Sequence, residues 1–208
     1  MSDSGQPPLV VGISGASGAM LGVRTLDACR ELGVATQLIV SRAAARTVSA
    51  ETGLDLAALA AKAGASHPPG DVGAAIASGS FPTRGMIIAP CSVRTMSEIA
   101  TGVTSTLMSR AADVTLKERR PLVLMVRETP LHLGHLRTLV QLAEMGAVIA
   151  PPVPAFYAEL NTLAEAIDQS VGRALDLFGL SWRPVRRWGR DIGPAPTAAA
   201  EAGAAEPE

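Results

Sequence analysis

The chain has 208 residues, which is enough for one domain of ordinary size with a substantial core. Its formal net charge of -1 provides no basic footprint for nucleic acid, so we expect no nucleic-acid partner. No apolar run reaches membrane-spanning length and the first residues lack the regions of a signal peptide, so we expect a cytoplasmic protein without a membrane partner.

Short apolar runs alternate with helical patterns along the chain. The apolar runs are nearly continuous, as in parallel strands that are covered on both faces. They predict strands at Leu9–Ile13, Thr36–Val40, Met86–Pro90, Leu122–Val126 and Ala147–Pro151. Helices are predicted at about 19–32, 42–51, 93–101, 104–119, 131–145 and 161–179. This alternation predicts an α/β fold, a three-layer, doubly wound parallel sheet of the Rossmann or flavodoxin-like type.

A single predicted domain occupies residues 1–190. Within it, residues 64–84 are rich in Gly, Pro and Ser and are predicted to form a long loop, and loops of this length are often functional. Residues 191–208 carry almost no bulky side chains, so we expect a disordered tail. Cys29 and Cys91 lie outside any Cys-x-x-Cys pair, which favours neither a disulfide framework nor a zinc site.

A glycine-rich turn follows the first predicted strand, with Gly12, Gly15 and Gly18 at three-residue spacing before a helical pattern. Glycines let a ligand approach the backbone, and the free N–H groups at the start of the next helix suit a phosphate. The spacing differs from the dinucleotide pattern Gly-x-Gly-x-x-Gly, and no Gly-Lys-Ser/Thr follows as in a Walker A loop. A tight turn without a ligand is the alternative interpretation.

The carboxyl ends of the predicted strands mark the expected site, because ligands of open parallel sheets bind there. The side chains that follow the five strands are mostly small, polar or charged. They are Gly15, Ala16, Ser17, Ser41, Cys91, Ser92, Val93, Arg94, Thr95, Arg127, Glu128, Pro152, Pro154, Phe156 and Tyr157. Ser41 and Ser92 could be simple helix caps, and Pro90 a strand terminator, but two capped helix N-termini beside a glycine turn also make a good anion site.

Two cations on the predicted helix 104–119, Arg110 and Lys117, are seven residues apart and share a face. Asp113 lies between them, so a solvated ion-pair stripe is the alternative interpretation. Together with hydroxyls and the carboxylates of Glu51 and Glu128, such cations suit the binding of a phosphate and its departure as a leaving group.

A histidine pair, His132 and His135, could share a helix face and bind a metal. No third ligand is evident nearby, so we interpret them as residues at a helix start that are satisfied by hydrogen bonds. No nucleophile elbow or Ser/His/Asp set is recognisable.

Several segments together make the chain similar to the UbiX-type flavin prenyltransferases, in the flavoprotein family that also includes flavin-dependent cysteine decarboxylases. The most specific are Arg110-Ala-Ala-Asp-Val-Thr-Leu-Lys-Glu-Arg-Arg-Pro121 and Arg127-Glu-Thr-Pro-Leu-His-Leu-Gly-His-Leu136. The others are Gly12–Gly18, Ser41–Ala44, Glu51-Thr52, Ala77–Phe81, Ala89–Ser92 and Pro151–Tyr157, within a resemblance that runs from about residue 9 to Trp188.

The resemblance implies a metal-independent enzyme that joins a dimethylallyl group from dimethylallyl phosphate to N5 and C6 of reduced FMN. The product, prenylated FMN, is the cofactor of a UbiD-type decarboxylase. The resemblance assigns FMN binding to Gly15, Ala16, Ser17, Ser41, Ser92, Val93, Arg94, Thr95 and Arg127. It places Arg110, Lys117, Arg127, Glu128, Tyr157 and Arg173 around the prenyl phosphate, and it makes Glu51, Ser17, Lys117 and Glu128 the catalytic set, in which Glu51 and Ser17 relay a proton.

The resemblance also implies a homo-oligomer, often a dodecamer, with active sites at subunit contacts. The chain departs from the usual family pattern at Met20-Leu21 and at Ala158-Glu159-Leu160-Asn161, which border the turn and the phosphate site. Two alternatives use the same fold: a flavin-dependent cysteine decarboxylase, whose characteristic motifs are not found in this chain, and an FMN-binding or delivery subunit without transferase activity.

Overall fold

A computed structural model describes residues 5–194 and confirms the predicted doubly wound α/β fold. Within these residues, six parallel strands form one sheet in the order β3-β2-β1-β4-β5-β6. The strands are β1 (Leu9–Ile13), β2 (Thr36–Val40), β3 (Ala65–His67), β4 (Gly85–Cys91), β5 (Leu122–Val126) and β6 (Val148–Ile149). The α-helices are α1 (Ala19–Glu31), α2 (Arg42–Thr52), α3 (Leu56–Ala60), α4 (Val93–Ala100), α5 (Leu107–Lys117), α6 (Leu133–Glu144) and α7 (Leu163–Asp176).

The structure corrects the predicted elements in three places. Residues 64–84 are not all loop, since they contain β3 and a 3₁₀ turn at Ala75–Ala77. Helix α3 was not predicted, because five residues are too short for a periodic pattern. Pro90 does not end its strand: β4 continues to Cys91 with a shift of register after Ile88.

Two apolar cores lie on opposite faces of the sheet because successive strand side chains point to opposite sides. Val11 and Ile13 of β1 pack on the face that carries α1, α2, α3 and α7. Val10 of the same strand packs on the face that carries α4, α5 and α6. Strands β1, β4 and β5 are fully buried, which explains their continuous apolar sequences.

The direction of chain progression reverses between β1 and β4, which are neighbours in the sheet. The chain runs outward from β1 to β2 and β3, and then crosses back to β4 and onward to β6. A crevice opens beyond the carboxyl ends of strands at such a switch point, and this is where doubly wound sheets bind ligands.

Both cysteines, Cys29 and Cys91, are free and buried in the two cores. Burial raises the pKa of each thiol to about 12, so both are neutral at physiological pH. Cys29 is a small core residue on the buried face of α1.

Helix α1 packs very closely on the sheet at Gly22. A Cβ atom at this position would lie 2.5 Å from the Ala89 carbonyl oxygen and 2.5 Å from Ile13 Cδ1. We therefore expect Gly22→Ala to destabilise the protein by about 1–3 kcal/mol, because overpacking outweighs the gain in helix propensity. Chemical denaturation checks this, with Gly73→Ala as the control, since a Cβ there meets no atom closer than 3.7 Å. Equal midpoints for the two variants would contradict the prediction.

The predicted tail begins inside the described region. Residues 191–194 form a turn in which Ile192 bridges Trp188 and the Asp191 carboxylate accepts a hydrogen bond from the Arg187 N–H group. The rest of the predicted tail, 195–208, lies outside the described residues.

Candidate active site

The ends of β1 and β4 are joined by the buried side chain of Ser14. Its hydroxyl donates to the Pro90 carbonyl at 2.8 Å and accepts from the Ser92 N–H group at 2.7 Å. This bridge fixes the glycine turn after β1 against the start of α4. The sequence alone did not identify Ser14, because a serine between an apolar strand and a glycine resembles any turn residue.

Gly15 lets the turn approach the start of α2. A Cβ atom on Gly15 would lie 2.5 Å from the Ala43 Cβ atom, so any larger residue would push the turn and the helix apart. The close approach brings the amino ends of α1, α2 and α4 to one edge of the sheet.

Ser41 and Ser92 are helix caps, which was the simpler of the two interpretations of the sequence, and both also line the crevice. Ser41 Oγ accepts from the Ala44 N–H group at 3.1 Å, and Ser92 Oγ accepts from the Thr95 N–H group at 3.3 Å. One cap leaves other first-turn N–H groups without an intrahelical partner, so the helix ends keep their partial positive charge.

Two adjoining cavities occupy the switch point and share Gly15, Ser92 and Arg94. The first, of about 480 Å³, lies between the starts of α2 and α4 and the loops before α5. It is lined by Gly15, Ser41, Arg42, Ala43, Pro69, Gly70, Ser92, Arg94, Thr95, Glu98, Ser105, Thr106 and Met108. The second, of about 330 Å³, is lined by Gly15, Ala16, Ser17, Ser92, Val93, Arg94, Arg127, Glu128 and Thr129.

The carboxylate of Glu51 closes the amino end of α1 from the last turn of α2. Its Oε2 atom accepts from the N–H groups of Gly18 at 2.9 Å and Ala19 at 2.8 Å. Gly18 precedes the helix in the left-handed region, at φ 100°, and offers no side-chain cap of its own. Glu51 therefore takes the place of the missing N-cap side chain.

Several groups around Glu51 favour its ionised form. Partial burial by itself raises the pKa of Glu51, but the hydrogen bonds from Ala19, the Ser17 hydroxyl and Gly18, and the charge of Arg127, outweigh it. The net result is a pKa below the ordinary value. Glu51 is thus a carboxylate in contact with Ser17, which lines the second cavity.

Arginine side chains supply most of the charge in the cavities. Arg94 lines both, and its Nε donates to Glu98 Oε1 at 2.8 Å, while 83% of its side chain remains exposed. Arg127 lines the second cavity and packs beside Gly18, and Arg42 lines the first. The arrangement favours an anionic ligand with an extended polar outline.

The structure brings most of the predicted site residues together. All nine residues predicted to hold FMN line one or both cavities, and Glu128 joins them. Glu51 contacts Ser17 from behind the turn. The predicted site residues did not include nine others that line the cavities: Arg42, Ala43, Pro69, Gly70, Glu98, Ser105, Thr106, Met108 and Thr129. The signals that pointed to some of them were the segments Ser41–Ala44 and Arg127–Leu136, the long loop 64–84 and the capping pattern at the start of α5.

Four predicted substrate-binding residues do not line either cavity in the single chain. Lys117 ends α5 beside Gly79 and pairs with Glu118, close to where β5 begins and so at the amino edge of the sheet. Arg110 donates to the Ala77 carbonyl and pairs with Asp113.

The other two belong to the segment from the 3₁₀ turn at Phe156–Ala158 to α7. Tyr157 packs edge-on against Trp188 with ring centroids 5.7 Å apart, and about half of it is exposed. Arg173, on α7, pairs with Asp176. One chain therefore forms the cavities that were predicted to hold FMN without gathering the predicted phosphate-binding set.

His132 and His135 are stacked at the start of α6, where His132 Nδ1 accepts from the His135 N–H group at 3.3 Å. They therefore act as helix-start residues joined by a hydrogen bond. Residues 5–194 contain no group of three or more His, Cys, Asp or Glu side chains arranged to hold a metal ion. No helix in that range is long and apolar enough to cross a membrane.

Comparison with known proteins identifies the family. The sequence model of the Flavoprotein family matches residues 1–172. Flavin prenyltransferase UbiX of Escherichia coli (strain K12) is 55% identical over 174 residues, which are 83% of this chain and 92% of that protein.

Two solved structures share the fold at similar identity. The crystal structure of AnUbiX (PadA1) in complex with FMN and dimethylallyl pyrophosphate has a TM-score of 0.87 and 47% identity, and covers 88% of this chain and 97% of that one. The structure of a dodecameric FMN-dependent Ubix-like decarboxylase from Escherichia coli O157:H7 has a TM-score of 0.85 and 46% identity. The match covers 87% of this chain and 98% of that one. The chain belongs to the Flavoprotein family and, within it, to the UbiX-type flavin prenyltransferases.

Proposed function

We propose that this chain transfers a dimethylallyl group from a dimethylallyl phosphate to N5 and C6 of reduced FMN. The observation that carries the proposal is the pair of joined cavities at the switch point, where the Ser17–Glu51 contact lies beside Arg127. The relative AnUbiX was crystallised with FMN and dimethylallyl pyrophosphate, a flavin nucleotide and a dimethylallyl phosphate ester, which are the two classes of ligand that the proposed reaction joins.

The donor set of the cavities fits FMN. A flavin phosphate needs N–H donors and positive charge, which the starts of α2 and α4 and the side chains of Arg42 and Arg94 provide. Glycine and small residues of the turn, Gly15 and Ala16, leave space for a planar ring against the backbone. FMN supplies the nucleophilic N5 atom of the reaction, and the residues described here bind and orient it.

Glu51 and Ser17 are suited to take a proton in this reaction. When the bond from the prenyl C1 atom to N5 forms, the C1–O bond to phosphate breaks and N5 gives up its hydrogen as a proton. Ser17 can pass that proton to Glu51, since its hydroxyl is one of the groups around the carboxylate that lower the pKa of Glu51. Because its pKa lies below the ordinary value, Glu51 is ionised at neutral pH and enters the reaction as a proton acceptor and not as a donor.

The leaving phosphate needs cations that the cavities of one chain do not gather. We infer that Arg110, Lys117, Tyr157 and Arg173 complete the site across subunit contacts, next to Arg127 and Glu128. Exposed apolar side chains are available for such contacts: Leu133, Leu136, Val140, Phe156 and Leu163. Phe156 is 89% exposed in the single chain, which is unusual for an aromatic side chain beside a predicted substrate residue. The dodecameric relative from Escherichia coli O157:H7 supports an assembly of this kind.

Mass spectrometry of the flavin tests the proposed function. The protein is incubated anaerobically with reduced FMN and either dimethylallyl monophosphate or dimethylallyl pyrophosphate, and the flavin is extracted and weighed. We expect a gain of one C5 unit, and the two arms identify the donor. A flavin that binds but keeps its mass with both donors would instead support the alternative, an FMN-binding or delivery subunit.

We further propose that the product serves a UbiD-type decarboxylase in the cytoplasm. Adding the reaction mixture to such a decarboxylase purified without its cofactor should restore decarboxylation. A mixture that lacks the prenyl donor is the control.

A further inference from the structure

The chain after α7 folds back onto that helix and is fixed there. A Cβ atom on Gly172 would lie 2.0 Å from the Cγ2 atom of Val185, so the glycine at this position allows the segment to pack on the helix. The buried side chain of Gln169 then holds the backbone of Arg186 at both polar groups. Gln169 Nε2 donates to the Arg186 carbonyl at 3.0 Å, and its Oε1 accepts from the Arg186 N–H group at 2.9 Å.

The guanidinium of Arg186 reaches from this fixed backbone to the turn that follows Tyr157. Its Nη1 atom donates to the carbonyl of Ala158 at 2.9 Å and to that of Glu159 at 3.3 Å. Glu159 has φ 50°, a left-handed conformation that is unfavourable for a glutamate, and the turn therefore needs external support. Asn161 Nδ2 also donates to the Glu159 carbonyl, at 3.3 Å.

The same segment packs on Tyr157 from a second side. Trp188 follows Arg186 by two residues and lies edge-on to the Tyr157 ring. Tyr157 is therefore flanked by one fixed segment, which holds the backbone after it through Arg186 and its ring through Trp188.

We propose that Arg186 is a positioning residue that sets the place of Tyr157 for binding the prenyl phosphate. The inference rests on the proposed function, because it assumes that Tyr157 contacts that phosphate. Arg186 itself acts through the carbonyls of Ala158 and Glu159. Gln169, on helix α7, holds the backbone of Arg186 in place. The position of Tyr157 is therefore linked to α7, which also carries Arg173.

The test compares Arg186→Ala with Arg186→Lys and with Arg183→Ala. Arg183 is a matched control, since it lies three residues earlier, is exposed, and makes no hydrogen bond or ion pair to the part of the chain the structure describes. Amide hydrogen exchange over 156–161 reports on the turn without reference to activity. Steady-state kinetics with reduced FMN give the KM for dimethylallyl phosphate, and titration with flavin gives the affinity for FMN.

For Arg186→Ala we expect amide exchange over 156–161 to accelerate about tenfold and the KM for dimethylallyl phosphate to rise about tenfold, because small displacements of a binding group are costly. FMN affinity and the melting temperature should match those of Arg183→Ala. The KM of Arg186→Lys should lie close to that of the wild type, since an ammonium can still donate to one carbonyl.

Two results would overturn the proposal: exchange and KM equal to those of the control, or a parallel loss of FMN affinity and thermal stability, which would indicate a general structural role. If the wild-type chain leaves the mass of FMN unchanged, the proposed function fails. In that case unchanged exchange over 156–161 in Arg186→Ala still overturns the anchoring role, and accelerated exchange supports it.

Discussion

Replacing Lys117 with alanine is expected to lower the rate of prenyl transfer by about 10³-fold, because a cation that neutralises charge on a departing phosphate contributes mainly in the transition state. The protein should remain folded. Lys117 is about half exposed and its ion pair with Glu118 lies at the surface, so its loss changes the free energy of unfolding by less than about 1 kcal/mol. Single-turnover kinetics and thermal melting measure the two effects. Arg46→Ala, which removes an exposed cation of α2, is the control.

A mixed assembly distinguishes whether Lys117 acts in its own subunit or in a neighbouring one. The carboxyl edge that holds Ser17 and the amino edge that holds Lys117 are at opposite ends of one chain's sheet, so we expect them to meet only between copies. Co-expression of Lys117→Ala and Glu51→Gln chains should therefore restore about a quarter of the sites, as random pairing of two chain types predicts. Recovery no greater than the sum of the two inactive parents would show that each site draws both residues from the same chain.

Replacing Glu51 with glutamine is expected to slow prenyl transfer by about 10²-fold, which is typical for the loss of a group that takes a proton in the transition state. FMN should still bind, since Glu51 stands behind Ser17 and is absent from the lining of both cavities. The amide oxygen of glutamine can still accept from Gly18 and Ala19, so the start of α1 should persist. Rapid mixing with preformed reduced FMN complex separates transfer from binding. An unchanged transfer rate would exclude the relay.

The pH dependence of folding stability tests the hydrogen bonds that the Glu51 carboxylate accepts. Because its pKa is lower in the folded chain, the ionised carboxylate stabilises the fold at pH values above the ordinary glutamate pKa, and this contribution is lost as the pH falls through the lowered pKa. Glutamine does not titrate. The wild type should therefore be more stable than Glu51→Gln at pH 7, and the difference should shrink toward pH 3. A difference that stays constant over this range would contradict the assigned contacts.

The sequence predicted the central strands and the edge of the sheet that carries the cavities. Strands β1, β4 and β5 are covered on both faces. Strands buried in this way have continuous apolar sequences, which are visible without a structure. The residues that follow those strands line the cavities because parallel strands end at one edge. Strand β3 was missed because it has three residues and is only partly buried, which leaves no pattern.

Other features depend on contacts between distant parts of the chain. Glu51 closes α1 from 32 residues away, and its role came only through the family resemblance. Pro69 joins the cavity because its carbonyl accepts from the Leu107 N–H group, a contact between two loops with no shared pattern. The spacing of Arg110 and Lys117 showed that they share a helix face, but which subunit uses that face is a property of the assembly.

The double use of the Glu51 carboxylate has a consequence for how the enzyme resets between turnovers. The same oxygen that holds two N–H groups at the start of α1 belongs to the group that we propose takes the flavin proton. Once neutral, that group no longer offsets the positive end of the helix dipole, so the protonated state is the unfavourable one. We therefore expect the positive end of the helix to favour transfer of the proton onward to solvent or to the released phosphate, which returns the site to its starting charge.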